Sequence, residues 1–185
     1  MALPQLVTIS DFVGAYRLPT FNSDFHTKVF NPFVVEFQEK ILIDLMGAYM
    51  FADFRDDFSG SVPQSTKYLN LLNGVEKLFQ SLFCCDYKIY KGLKIMLCYY
   101  LYAEFIITNE YRDTQSGLVK KNKENSTSVN EIELLKRHYS RYNQFVEYYN
   151  DTFDYMIANE DLFPEFEIYT VAKKLKGVIE TRTIQ

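Results

Sequence analysis

The chain has 185 residues, of which 48% are hydrophobic and 24% charged, the make-up of one soluble globular domain large enough to bury a substantial core. A net charge of −4 lacks the basic excess that marks a general nucleic-acid binder. The longest apolar run, 95–103, is far short of the ~18 residues that span a membrane, and 1–6 lacks the charged and apolar regions of a signal peptide, so neither a membrane segment nor a leader is expected.

The first element is a short helix within 6–16. Thr8 or Ser10 is its candidate N-cap, because either hydroxyl can accept an orphan backbone N–H, and Pro19 stops it. A second helix starts with Asn31 as N-cap and Pro32 as first residue. Val34, Phe37, Ile41, Leu45 and Ala48 form its apolar stripe, and Glu36 and Glu39 lie early, where the helix dipole favours acids. Gly47 ends or bends this helix; 51–60 either continues it or forms a separate turn, and Pro63 closes the link. The third helix covers 64–73, with Tyr68, Leu71 and Leu72 on its buried side and Gly74 as a left-handed cap. The following stretch has two readings of equal weight: a short strand or hairpin around 85–90, where polar and apolar residues alternate weakly, or a helix over 75–83.

The fourth helix, 92–111, has only Lys94 and Glu104 as charges between Leu93 and Ile107. A helix apolar on nearly every side belongs in the middle of a protein. It runs directly into a polar stretch, 112–130, that cannot pack a core of its own. The fifth helix begins near Ser128, which forms a capping-box pattern with Glu131. Ile132, Leu135, Tyr139, Tyr142, Phe145, Tyr149, Phe153 and Met156 follow at spacings of three and four, and Phe163-Pro164 ends the helix. The tail after it carries Phe166, Ile168, Tyr169, Val171 and Leu175 with a basic cluster at Lys173, Lys174 and Lys176. It reads as a sixth helix or as a segment that orders on a partner. The predicted fold is mainly α: a bundle of about five helices with a long extended arm and, on one reading, a short β-hairpin. The helical domain spans 1–163 and projects the arm 112–130; 164–185 is a partner-docking tail.

Residues able to do chemistry are sparse. The two histidines, His26 and His138, have no nucleophile motif beside them, and no CxxC or HxxxH spacing offers a zinc site. Cys84, Cys85 and Cys98 are an odd set with no disulfide or zinc framework, so free thiols in a reducing compartment are expected. The seven glycines are scattered and form no phosphate-binding loop. Asp53, Asp56 and Asp57 lack the calcium-loop form and read as a solvated acidic face. Lys120, Lys121 and Lys123 are a modest basic patch, either solvated or touching phosphates. No catalytic residue, cofactor or metal ligand is assigned. Fifteen Tyr and sixteen Phe fill a core with rings or place some tyrosines at subunit contacts.

The order of these pieces carries a resemblance. A TISDF segment, the KGLK run at 91–94, Tyr102-Ala103 in an apolar Tyr-rich helix, and TQSGLVKKNKENS at 114–126 precede a long helix rich in Tyr and Asn. Over 7–163 the chain resembles the head–tail connector proteins of tailed bacteriophages, in particular the neck ring or adaptor proteins of the crAss-like group. The resemblance implies a helical, non-enzymatic virion protein, assembled in the host bacterial cytoplasm. About a dozen copies would form a ring beneath the portal protein, extending the channel through which genomic DNA passes non-specifically and offering a platform to other neck and tail proteins. Arg112, Thr114, Gln115, Ser116, Gly117, Leu118, Val119, Lys120, Lys121 and Lys123 would then form an inter-subunit arm that orders on its neighbour, and a mildly acidic chain suits a wall past which DNA slides. The alternative expectation is a small helical DNA-binding or regulatory protein, for which a basic recognition helix would be needed and none stands out.

Overall fold

Four α-helices make up most of the described chain: α1 (Asn31–Asp56), α2 (Thr66–Asn73), α3 (Leu93–Glu110) and α4 (Glu131–Ala158). The computed structural model describes residues 2–17, 26–76, 78–80, 87–114, 117–120, 131–166 and 175–177. Three antiparallel strand pairs join the helices: β1 (Phe58–Ser59) with β2 (Val62–Pro63), β3 (Leu78–Gln80) with β4 (Tyr87–Ile89), and β5 (Tyr111–Thr114) with β6 (Gly117–Lys120). The fold is mainly α, as expected.

The predicted first helix is instead two 3₁₀ turns, Ile9–Asp11 and Gly14–Tyr16. Thr8 caps the first, with its backbone N–H donating to Asp11 Oδ2 at 2.6 Å. The segment before it is held by tertiary contacts. Gln38 is fully buried; its Oε1 accepts from the Leu6 N–H at 3.0 Å and its Nε2 donates to the Pro4 carbonyl at 2.9 Å. One buried amide thus satisfies two backbone groups of the N-terminal segment.

Asn31 is not the cap of α1. A π-helical turn, His26–Phe30, precedes it, and Phe30 is already helical with φ −72° and ψ −48°. Phe30 is fully buried against Phe12 and Phe105 (ring centroids 5.3 and 6.0 Å), which holds the entering chain on the bundle. Gly47 kinks α1: its φ of 77° and ψ of 165° are non-helical, so two helical segments meet there at an angle. The bend lets Leu42, Leu45 and Met46 before it, and Met50, Phe51 and Phe54 after it, all reach one core.

After α1 the predicted link is the tight β1–β2 hairpin. Asp57 reaches past it to hold the turn that leads into α2, its Oδ2 accepting from the Gln64 and Ser65 N–H groups at 3.0 and 2.9 Å and from the Ser65 hydroxyl at 3.0 Å. The next segment follows the strand reading: β3 and β4 pair with Leu78 opposite Ile89 and Gln80 opposite Tyr87. Rings on α4 decide this. Phe79 meets Tyr155 edge-on at 5.6 Å, and the buried Tyr90 stacks on Tyr155 at 4.1 Å while its hydroxyl donates to the Leu71 carbonyl at 2.7 Å.

The centre of the protein is α3, with Leu93, Met96, Leu97, Leu101 and Ala103 fully buried. It packs along α4 through Tyr99–Tyr148 (5.3 Å, stacked) and Tyr100–Phe145 (4.9 Å), and against α1 through Phe105–Phe33 (5.6 Å) and Tyr100–Phe37 (6.4 Å). The start of α1 therefore lies beside the end of α3. The Tyr149 hydroxyl ties α4 to α1 by donating to the Asp44 carbonyl at 3.1 Å. The capping box expected at Ser128 lies outside the described residues.

Candidate assembly surface

The arm is the most distinctive feature that the helices position. The chain passes from Glu110 of α3 directly into β5, which pairs with β6 in the register Tyr111↔Lys120, Arg112↔Val119, Asp113↔Leu118 and Thr114↔Gly117. The expected extended arm is thus a β-hairpin up to Lys120. The hairpin is a two-stranded sheet, so among the described residues neither outer edge meets another strand. An isolated two-stranded ribbon is marginally stable and its open edges are templates for pairing. Gln115, Ser116, Lys121 and Lys123 lie outside the described residues.

The tail divides differently from the expectation. Phe166, assigned from sequence to partner docking, is buried and meets Phe153 edge-on at 5.5 Å, and the neighbouring Phe163 packs on Tyr68 and Tyr155. Leu175 is also engaged within the chain: its N–H donates to Asn150 Oδ1 at 3.0 Å and its carbonyl accepts from Asn150 Nδ2 at 3.1 Å. The helical domain therefore extends past 163, and residues 175–177 are not helical. Lys176 is exposed. Ile168, Tyr169, Val171, Lys173 and Lys174 lie outside the described residues.

Among the described residues, the side chains considered for chemistry are engaged in local structure; Cys84, Cys85 and the His26 side chain lie outside what is described. His138 Nδ1 lies 3.0 Å from the Ala103 carbonyl, and its ring lies near those of Tyr139 and Tyr142. Burial raises the pKa of the adjacent Glu104, with His138 and Lys40 acting in the opposite direction. Burial pushes the Cys98 thiol up to about 12, so it is a weak nucleophile. Asp56 pairs with Arg55 at 2.9 Å, and Asp53 accepts from the Tyr68 hydroxyl at 2.6 Å and from Lys67 at 3.0 Å. Among the described residues no group of three His, Cys, Asp or Glu side chains is placed to hold a metal ion, and no helix is long and apolar enough to cross a membrane.

The Tyr68 hydrogen bond lowers the Asp53 pKa. A carboxylate whose folded pKa is depressed contributes stability above its unfolded pKa, about 4, and that contribution is lost as pH falls through the folded value. Tyr68→Phe is therefore expected to flatten the acid side of the stability profile. Urea midpoints at pH 6 and pH 3 check this: the drop between them should be smaller in the variant, and an equal drop would count against the Asp53–Tyr68 bond.

Two exposed apolar surfaces were not assigned from sequence. One is the outward face of β3–β4, with Leu78 56%, Tyr87 68% and Ile89 43% exposed. The other is the outer side of α1, with Val35 41% and Ile43 36% exposed. Both α1 residues fall off the helix's apolar stripe, and that offset was the available signal. A cleft of about 560 Å³ beside β3 is lined by Val75, Leu78, Phe79, Tyr155 and Leu162, with amides from Asn70, Gln80 and Asn159. That lining suits packing more than reaction chemistry.

Residues 44–174 match the model of a family of unknown function, DUF6712. No curated protein and no solved structure matches the chain. The matched stretch runs from the middle of α1 through α3, the hairpin arm and α4 into the tail, which is more than two thirds of the sequence. With the whole α3–arm–α4 unit inside the match, the chain belongs to the DUF6712 family.

Proposed function

We propose that this chain is a structural, non-enzymatic virion protein of a tailed bacteriophage: a subunit of the head–tail connector, or neck, ring. About a dozen copies would sit below the portal, extend the DNA channel and serve as a platform for the tail. The observation that carries the reading is the β5–β6 hairpin, which leaves the end of a densely packed central helix and, among the described residues, pairs with no further strand at either edge. Such an element gains its stability from a neighbour, and a ring needs a face of this kind on one side of each protomer and its complement on the other. The likeness of the KGLK, Tyr-Ala and TQSGLVKK segments to connector proteins supports the same reading. The net charge of −4 favours a channel wall to which DNA does not adhere.

Size-exclusion chromatography with light scattering, and electron microscopy of the protein alone and mixed with its portal protein, test the reading. Ring-shaped oligomers are the expected result. Deleting 116–125 should leave the helical circular dichroism and the Tm unchanged while abolishing the rings. A wild-type chain that stays monomeric even with its portal would overturn the proposal.

A further inference from the structure

We propose that the outer face of the first half of α1, centred on Val35, Glu36, Glu39 and Ile43, is the seat for the β5–β6 hairpin of a second copy of this chain. This rests on the ring reading and adds to it the surface that receives the arm. Val34, Gln38, Ile41, Leu42 and Leu45 turn into the core, so Val35, Glu39 and Ile43, four residues apart, line the opposite side. That side presents two aliphatic side chains among carboxylates. Glu36 and Glu39 are exposed and form no ion pair with a described residue. Two cations border this side: Lys40, close enough to Glu104 of α3 to affect its pKa, and Arg55 in the second half of α1, which pairs with Asp56 and is also near enough to Glu39 to be influenced by it.

The arm has the complementary make-up. Between 112 and 123 there are four cations, Arg112, Lys120, Lys121 and Lys123, against the single acid Asp113, with Leu118 and Val119 as aliphatic residues. The register sets Arg112 opposite Val119 and Lys120 opposite Tyr111, so each of these positions pairs a cation with an apolar or aromatic residue. Between 31 and 46, α1 has the reverse: Glu36, Glu39 and Asp44 against Lys40. Opposite potentials of this kind set the register of an interface and steer its formation.

Position selects α1 over the more apolar β3–β4 face. The arm leaves α3 at Glu110, and Phe105 near that end packs on Phe33 of α1. Arm and α1 seat therefore lie at the same level of the bundle. A lateral contact between them joins copies by rotation without a rise, which is the condition for a closed ring. The β3–β4 hairpin lies at the other end of α3, beyond Leu93 and next to Tyr90. An α-helix of that length spans about 27 Å at ~1.5 Å per residue. Docking the arm there would require it to reach a comparable distance along the neighbouring copy.

The test replaces Val119 with a photoreactive benzophenone amino acid in the full chain and irradiates an equal mixture of ¹⁴N- and ¹⁵N-labelled protein at assembly concentration. Mixed-isotope crosslinks to peptides from 31–46 are expected. Mixed-isotope crosslinks confined to other segments would overturn the seat and leave the ring reading standing. Crosslinks within one isotope only, or none, would overturn both. In parallel, E36K/E39K should weaken self-association about ten-fold or more, and adding R112E/K120E to the same chain should restore it. Unchanged association in E36K/E39K, or no recovery in the four-fold variant with its Tm intact, would overturn the seat.

Discussion

Gly92→Ala is expected to destabilise the protein by about 3–5 kcal/mol, enough to leave most of it unfolded at moderate urea. Two separate costs add at this position. The backbone has φ +91°, which an L side chain rarely adopts. A Cβ would also lie 2.5 Å from Asn73 C and 2.5 Å from Gly74 N, and these are backbone atoms that cannot swing aside. Here the chain leaving α2 crosses the chain entering α3, and Gly74 shows the same crowding from the other side, 2.6 Å from the Tyr90 carbonyl oxygen. The crossing is pinned by the Val75 N–H donating to that carbonyl at 2.9 Å. Gly60→Ala is the control. Its φ is +66° but no atom lies within 4 Å of an added Cβ, so it should cost only the conformational part, about 1–2 kcal/mol. Urea unfolding of both variants checks the difference. Equal losses would mean that the α2–α3 crossing is looser than described. With a total stability of roughly 5–15 kcal/mol for a domain, a loss at the upper end removes much of the margin.

Leu101→Asp should unfold the protein outright. Leu101 is fully buried in the middle of α3, where an unpaired carboxylate either stays charged at a cost of several kcal/mol or takes up a proton at a cost of similar order. Glu104, one turn further along, shows the effect in milder form: even half-buried at the edge of α3, its carboxyl has a raised pKa because of burial. Leu101→Ala provides the scale. It removes packing without adding charge and should cost about 2–5 kcal/mol. Circular dichroism and urea titration of the two variants distinguish the contributions. A well-folded Leu101→Asp protein would show that α3 is not the central helix.

Much of the helical layout was legible in the sequence. The stripe from Ile132 to Met156 marked α4, the near absence of charge between Leu93 and Ile107 marked α3, and Gly74 marked the end of α2. These signals are local, since each depends on residues within one or two turns. The start of α1 was misplaced because Asn31-Pro32 is a good local cap, whereas Phe30 gains more by burying its ring against Phe12 and Phe105 than the backbone gains from ending the helix there. The N-terminal segment was expected to be helical from its caps. It is held instead by Gln38, more than thirty residues away.

The arm was recognised by its polarity and by its inability to form a core. Its hairpin register was not recognised, because the alternation is weak and the pairing of Arg112 with Val119 involves two segments that carry no strong β signal of their own. Phe166 and Leu175 of the tail were misplaced for a similar reason. Phe166 and Leu175 look like an unfinished amphipathic pattern until Phe153 and Asn150 are placed beside them.

Taken alone, then, the sequence determined where the four α-helices form and which of them is central, because helix periodicity and hydrophobic burial are written in near neighbours. The tertiary structure decided three further things: the strand pairing of 78–80 with 87–89, the level at which the arm leaves the bundle relative to α1, and the burial of Phe166. Each depends on rings, amides and backbone groups that are distant in the chain and meet only when it folds, so no local pattern encodes them.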